Sequence, residues 1–243
     1  MRQTIIEPFR IKSVEPIGRT TLAERDRVLE EAGYNLFEVP AERVLIDLLT
    51  DSGTSAMSAD QWAGVTRGDE SYAGARSFYR LKEVVQRIFG FEHVIPVHQG
   101  RAAERILFGL MAESGAIVPS NTHFDTTRAN VEAQGATALD LPCPESADLF
   151  SEEPFKGNTD IEALEALLGG EDGGRVPLVM STITNNSMGG HPVSLRNLRS
   201  TASVASKYGV PAFVDAARFA ENAGLISQRE KEEEGRTPPG DRV

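Results

Sequence analysis

With 243 residues and a net charge of −11, the chain is long enough to bury a sizeable core and too acidic for nucleic acid or an anionic membrane to be its main partner. Cys143 is the single cysteine, which excludes an intrachain disulfide and a cysteine-based metal cluster. No run reaches the ~18 apolar residues of a membrane span, and Met1–Lys12 lacks the apolar core of a secretory leader. A cytoplasmic protein with a small-molecule or protein partner is expected.

An N-terminal arm leads into a charged helix over 20–31, with Thr20 or Thr21 as N-cap and Gly33 where the helix ends. Phe78, Leu81, Val84, Val85 and Ile88 recur at helical spacing over 77–89, and Gly90 stops them. The pattern then alternates: strand 94–97, helix 101–111, strand 116–119, helix 126–133, strand 137–141. A polar linker over 142–158, a helix over 161–168 and a Gly-rich turn precede the apolar strand 176–183. Helix 194–208, strand 212–214 and a helix from Arg218 complete the series. Short strands separated by helices of ten to fifteen residues predict β-α-β units, hence an α/β fold with a mostly parallel sheet covered on both faces. Residues 1–40 are read as arm and helix, 41–227 as one large domain, and 228–243, nearly devoid of apolar residues, as a disordered tail.

Ligands of such sheets sit outside the carboxyl ends of the strands, where Gln99, Phe124, Asn186 and Asp215 fall. His98-Gln99-Gly100-Arg101 runs from a strand into a helix, and exposed N–H groups, the helix dipole and an arginine together suit a phosphate; a plain tight turn would look the same. Phe124 precedes Asp125-Thr126-Thr127, which reads either as an aromatic ligand cover or as a core ring followed by an Asp or Thr N-cap. Asp215 ends an apolar strand, where a carboxylate is desolvated unless it meets a cation; the bland reading is the N-cap of the helix holding Arg218. His93, His98, His123 and His191 have no zinc-type spacing, and there is no G-x-S-x-G elbow for a serine hydrolase.

Several stretches together resemble one family: Thr50-Asp51-Ser52-Gly53-Thr54, Arg67-Gly68-Asp69-Glu70-Ser71-Tyr72, His98-Gln99-Gly100-Arg101, Phe124-Asp125-Thr126-Thr127, the run from Thr184 to Ser194, and Val214–Ala223. They are similar to the β-eliminating lyases, the family of tryptophanase and tyrosine phenol-lyase. The resemblance implies the large domain of the aspartate-aminotransferase-like fold and pyridoxal 5′-phosphate as cofactor. It implies that Gln99, Gly100 and Arg101 hold the phosphate, Phe124 stacks on the ring and Asp215 pairs with the ring nitrogen. Asn186 and Arg218 would contact the ring oxygen, with Asn186 also near the substrate carboxylate. Thr50 would lie beside the substrate, and Tyr72, from a neighbouring subunit, would donate a proton near the leaving group; Thr50, Tyr72 and Arg218 form the expected catalytic set. Asp125, after the stacking ring, implies an aromatic amino-acid substrate with Trp preferred over Tyr, and the Gly53 carbonyl with Glu70 implies a K⁺ site at the interface of a homo-oligomer.

In that family the lysine that holds the cofactor follows the Asp215–Arg218 stretch in a Ser-x-x-Lys context. The five lysines here, Lys12, Lys82, Lys156, Lys207 and Lys231, do not match it. The expectation is therefore a chain cut before that lysine and inactive in β-elimination. The alternative is a non-catalytic fragment that binds cofactor weakly or pairs with a complementary polypeptide.

Overall fold

The computed structural model describes residues 18–44, 57–69 and 74–236. Thr50, Gly53, Glu70 and Tyr72 lie outside the described residues. Two compact units meet in sequence between Val94 and Ile95.

In the first unit, helix α1 (Leu22–Glu31) starts with a capping box: Thr21 Oγ1 accepts the Glu24 N–H at 3.3 Å, and the Glu24 carboxylate accepts the Thr21 N–H at 2.7 Å. Ser58 and Gln61 repeat the device for α2 (Ala59–Thr66). The Asp69 carboxylate accepts the N–H groups of Arg76 and Ser77 at the start of α3 (Arg76–Phe89), at 2.7 and 3.1 Å. Those bonds, with the Ser77 hydroxyl foremost, hold the Asp69 pKa down to about 2. Gly90, left-handed at φ 74°, ends α3 where the sequence predicts.

The second unit carries the sheet. Its elements are α4 (Gly100–Met111), β1 (Ile117–Ser120), α5 (Asp125–Glu132), β2 (Thr137–Asp140), α6 (Ile161–Gly169), β3 (Val179–Thr182), α7 (Leu195–Lys207), β4 (Ala212–Asp215) and α8 (Phe219–Arg236). The strands pair in parallel in the order β2-β1-β3-β4, with Val118 opposite Ala138 and Ser181 opposite Val214. Alternation along β1 sends Val118 to one face and Ile117 to the other. Val118 joins Phe108, Val131, Ala138 and Met180, so α4 and α5 cover that face. Ile117 joins Leu164, Leu168, Val179 and Ala205, so α6 and α7 cover the opposite one. The predicted α/β class and parallel sheet are observed.

Five details differ from the sequence reading, the first being α2, a helix where no element is predicted. Residues 94–97 form no strand: Ile95 is 83% exposed and no partner strand lies beside it among the described residues, so apolar composition alone is misleading. β3 starts at Val179 rather than Val176, because Pro177 has no N–H to give a ladder. Residues 142–158 are packed rather than a loose linker: Pro142 bridges Thr159, Phe155 and Lys156 are buried, and a Cβ on Gly157 would fall 2.3 Å from the His191 carbonyl. Finally, α8 continues to Arg236, so 228–236 is helical; Glu, Lys and Arg are good helix formers even where nothing apolar can be buried.

Candidate functional site

The carboxyl ends of β1 and β3 are tied together by the residue that follows β1. Asn121, fully buried, accepts the Thr182 N–H at 2.8 Å and donates to the Thr182 and Gly157 carbonyls at 3.0 and 2.8 Å. Next to it, Thr122 Oγ1 donates to Asn185 Oδ1 at 2.5 Å. One amide side chain thus serves three backbone groups where the ladder ends, sharing only the Gly157 carbonyl with the Asn185 amide, which donates to it at 3.3 Å. Neither Asn121 nor Asn185 was foreseen as a site residue, although each is an amide placed directly past a strand, a signal that could have found them.

On the β4 flank, the Ile183 N–H reaches the Asp215 carbonyl at 3.0 Å and the Arg218 N–H reaches the Ile183 carbonyl at 3.1 Å, which brings Arg218 over the end of β3. The Arg218 guanidinium donates to Asn186 Oδ1. Asp215 Oδ1 accepts the Ala217 N–H at 3.1 Å, an Asx turn rather than the N-cap of α8, which begins at Phe219. Burial raises the Asp215 pKa; the Ala217 N–H and the Arg218 charge only partly oppose it. Asp215 is therefore a carboxylate short of compensating charge. Behind it, Asn222 clamps Val193 through paired bonds of 2.9 and 3.0 Å and anchors α8 beside the Gly189-Gly190 turn, whose φ values are 72° and 74°.

Phe124 is half-buried and is itself the N-cap residue of α5, with no side-chain cap; Asp125 is exposed as the first helical residue, so neither Asp125 nor Thr126 takes the capping role. Ser187 Oγ donates to the carbonyl of His123 at 3.0 Å, joining the Phe124 segment to the turn that carries Asn186. Phe124, Asn186, Asp215 and Arg218 are thereby linked along one edge.

Gln99, Gly100 and Arg101 are exposed at the start of α4, and Gln99 makes no side-chain cap. Glu104, one turn further on, accepts hydrogen bonds from Thr127 at 2.5 Å and Asn130 at 3.1 Å. α4 and α5 therefore present their N-termini at the same end, the end at which β1 finishes.

His123 is a third residue that the sequence reading does not single out as a site residue. It is 4% exposed, and its N–H and Nδ1 both meet Asp140 Oδ1, at 2.9 and 2.7 Å. Arg128 Nη2 holds Asp140 Oδ2 at 2.5 Å.

The β-eliminating lyase family model matches residues 47–235. The chain belongs to the β-eliminating lyase family. This family member is 61% identical to the tryptophanase of Salinibacter ruber over 93% of its length and 59% identical to that of Hyphomonas neptunium over 97%. It is 46% identical to the tyrosine phenol-lyase of Pasteurella multocida over 96%. These matches take in 48%, 52% and 51% of the respective relatives, so the chain spans about half the length of the curated relatives it matches. Among solved structures it is similar to a pyridoxal-phosphate C–S lyase of Staphylococcus hominis, at 9% identity and TM-score 0.46, over 64% of this chain and 39% of that one.

Proposed function

We propose that the carboxyl edge of the sheet is the pyridoxal-phosphate cradle of a β-eliminating lyase acting on an aromatic amino acid. The observation that carries this reading is the placement of Asp215, half-buried at the end of β4 with its carboxylate accepting the Ala217 N–H at 3.1 Å, beside the Arg218–Asn186 bond. Such a group suits a protonated ring nitrogen. When bound, the cofactor supplies an electron sink for the pair freed at the substrate α-carbon. Asp215 would hold the proton on the ring nitrogen, and Phe124 would cover one ring face. Asn186 and Arg218 would fix the ring oxygen, with Asn186 also oriented to the substrate carboxylate. Gln99, Gly100 and Arg101 would take the phosphate, as N–H groups and cations at a helix N-terminus do. Thr50, Gly53, Glu70 and Tyr72 keep their proposed roles at substrate, K⁺ and leaving group.

Trp is the proposed substrate, with indole, pyruvate and ammonia as products. Asp125 beside Phe124 supports it, as does the higher identity to tryptophanases than to a tyrosine phenol-lyase. The 243-residue polypeptide by itself is expected to be a poor catalyst. Lys156 directs its Nζ to the Asp148 and Ser151 carbonyls at 2.8 and 3.3 Å, and Lys207, on the last residue of α7, pairs with Glu165. Neither amine is available beside Asp215. A lysine base contributes roughly 10²–10⁴-fold through acid–base catalysis.

Titrating the purified chain with pyridoxal phosphate, then assaying indole from Trp, tests the reading. One saturable site that Asp215→Ala abolishes, with indole only at trace level, is expected. No saturable binding contradicts the cradle, and turnover of about 1 s⁻¹ or more contradicts the assignment of the lysines.

A second reading, a fragment that pairs with a complementary polypeptide, draws on β4. This edge strand alternates exposed and half-buried residues, with Val214 43% exposed, whereas β1 and β3 are buried throughout. A monodisperse monomer in light scattering would count against it.

A further inference from the structure

The buried network on the β1–β2 flank is not explained by capping or core packing. The His123 ring contacts Asp140 through Nδ1, and the opposite ring nitrogen, Nε2, is buried with no hydrogen-bond partner. A carboxylate only accepts, so the proton sits on Nδ1 and Nε2 carries a lone pair. The His123 main chain is held on both sides, its N–H by Asp140 at 2.9 Å and its carbonyl by Ser187 at 3.0 Å. Phe124 is the next residue.

We infer that His123 is a positioning residue for the cofactor site: its main chain is tied to Asp140 on β2 and to Ser187 in the Asn186 turn, and its neutral ring, bonded to the same Asp140, fixes where Phe124 stands. The inference rests on the cradle proposed above only in what Phe124 would cover. Protonation at Nε2 would bury an N–H with no acceptor, one of the costlier defects in a protein interior. The charged groups around the ring do not relieve it: Asp140 already serves Nδ1, Arg128 repels a second positive charge, and Glu132 adds a weak attraction. Burial foremost keeps the ring below its ordinary value of 6.5, against the pull of Asp140. Acidification should therefore expel the ring and release Phe124. His123 acts through Phe124 and touches no reacting atom in this scheme.

Asn and Leu at position 123 separate the alternatives. The amide of His123→Asn can donate to Asp140 as Nδ1–H does but cannot take up a proton; His123→Leu can do neither. Hydrogen exchange of the peptide spanning 121–128, corrected for intrinsic rates, is followed in the full chain from above to below pH 6.5. Binding of pyridoxamine 5′-phosphate, which has no aldehyde to react with surface amines, is measured alongside. Wild type should lose about tenfold in protection on acidification and about tenfold in affinity beyond the loss that ligand ionisation imposes on every variant, His123→Asn should show no loss of protection and only that shared loss of affinity, and His123→Leu should be about tenfold weaker throughout, one charge-assisted hydrogen bond's worth. Equal protection in all three proteins, or a pH response of protection surviving in His123→Asn, overturns the inference. Equal ligand affinity in all three with normal exchange behaviour removes the link from Phe124 to the ligand and leaves the cradle standing. The expected exchange pattern with no ligand bound by any protein sustains the His123–Phe124 coupling and defeats the cofactor reading instead.

Discussion

The two flanks of the sheet's carboxyl edge are built on opposite terms. On the β1 side, Asn121, Thr122 and His123 are buried and their main-chain or side-chain groups are tied to β2, β3 and the 157 and 187 segments. On the β4 side, Asp215 is half-buried and its pKa is pushed up, because a single N–H and a nearby guanidinium do not repay its desolvation. One flank is held by the protein's own hydrogen bonds, with His123 Nε2 left bare; the other carries a carboxylate whose desolvation is only partly offset. On the proposed reading, stability resides in the first and binding in the second.

The largest effect should come from breaking the hydrogen-bonded flank. Asn121→Ala removes both bonds to Thr182 and leaves its N–H and carbonyl unpaired, while the Gly157 carbonyl keeps only the 3.3 Å bond from Asn185, which should cost about 2–4 kcal/mol in urea denaturation. A loss below about 0.5 kcal/mol, the level of an ordinary surface change, would show that the clamp is not what joins β1 to β3.

Asp215→Asn sharpens the contrast, since it should move stability and binding in opposite directions. Burial holds the folded pKa of Asp215 above the ordinary 3.8, so its contribution is present below 3.8 and lost as pH rises through the folded value. At neutral pH the ionised form works against folding. The Asn variant keeps an acceptor for the Ala217 N–H and should melt higher than wild type without ligand, while binding pyridoxamine 5′-phosphate at least about tenfold more weakly. Lower melting together with unchanged binding would reverse the roles of the flanks.

His123 supplies the opposite pH sign. Its folded pKa lies below 6.5, so the stability it confers is present above 6.5 and is lost as pH falls through the folded value. Wild type should accordingly unfold more easily on mild acidification than His123→Asn, as read by midpoints across that window.

The smallest effect belongs to Arg128→Met. The Arg128–Asp140 pair is about one-third exposed on both sides, at 37% and 34%, so solvent screening should keep its loss to about 1 kcal/mol or less. A much larger loss would mean that Asp140 depends on Arg128 to hold His123.

Legibility from sequence followed the range of the forces involved. The Thr21 cap, the Gly90 stop and the apolar period of α3 are local, and they place the ends of α1 and α3 within two residues, whereas α2, whose Ser58–Gln61 box is equally local, has no counterpart in the sequence reading. The β-α-β alternation gave the parallel sheet, because buried strands and amphipathic helices differ in period. What escaped was non-local. Residues 94–97 have a strand's composition but no neighbouring strand among the described residues, and Lys156 reads as a linker residue although its amine caps two carbonyls within the packed 142–158 segment. Asp215, Phe124 and Asn186 stood out because each ends a strand or opens a turn. His123 did not, because its partner Asp140 lies 17 positions away on a different strand.

The most direct measurement is amide chemical-shift mapping of the chain on titration with pyridoxamine 5′-phosphate. If one ligand bridges the α4 N-terminus and the β4 flank, shifts should cluster at Gly100, Arg101, Phe124, Asn186 and Asp215 to Arg218, with a single saturation curve. Shifts confined to Gly100 and Arg101, leaving Phe124 and Asp215 unmoved at saturation, would show that the edge binds a phosphate without holding a ring.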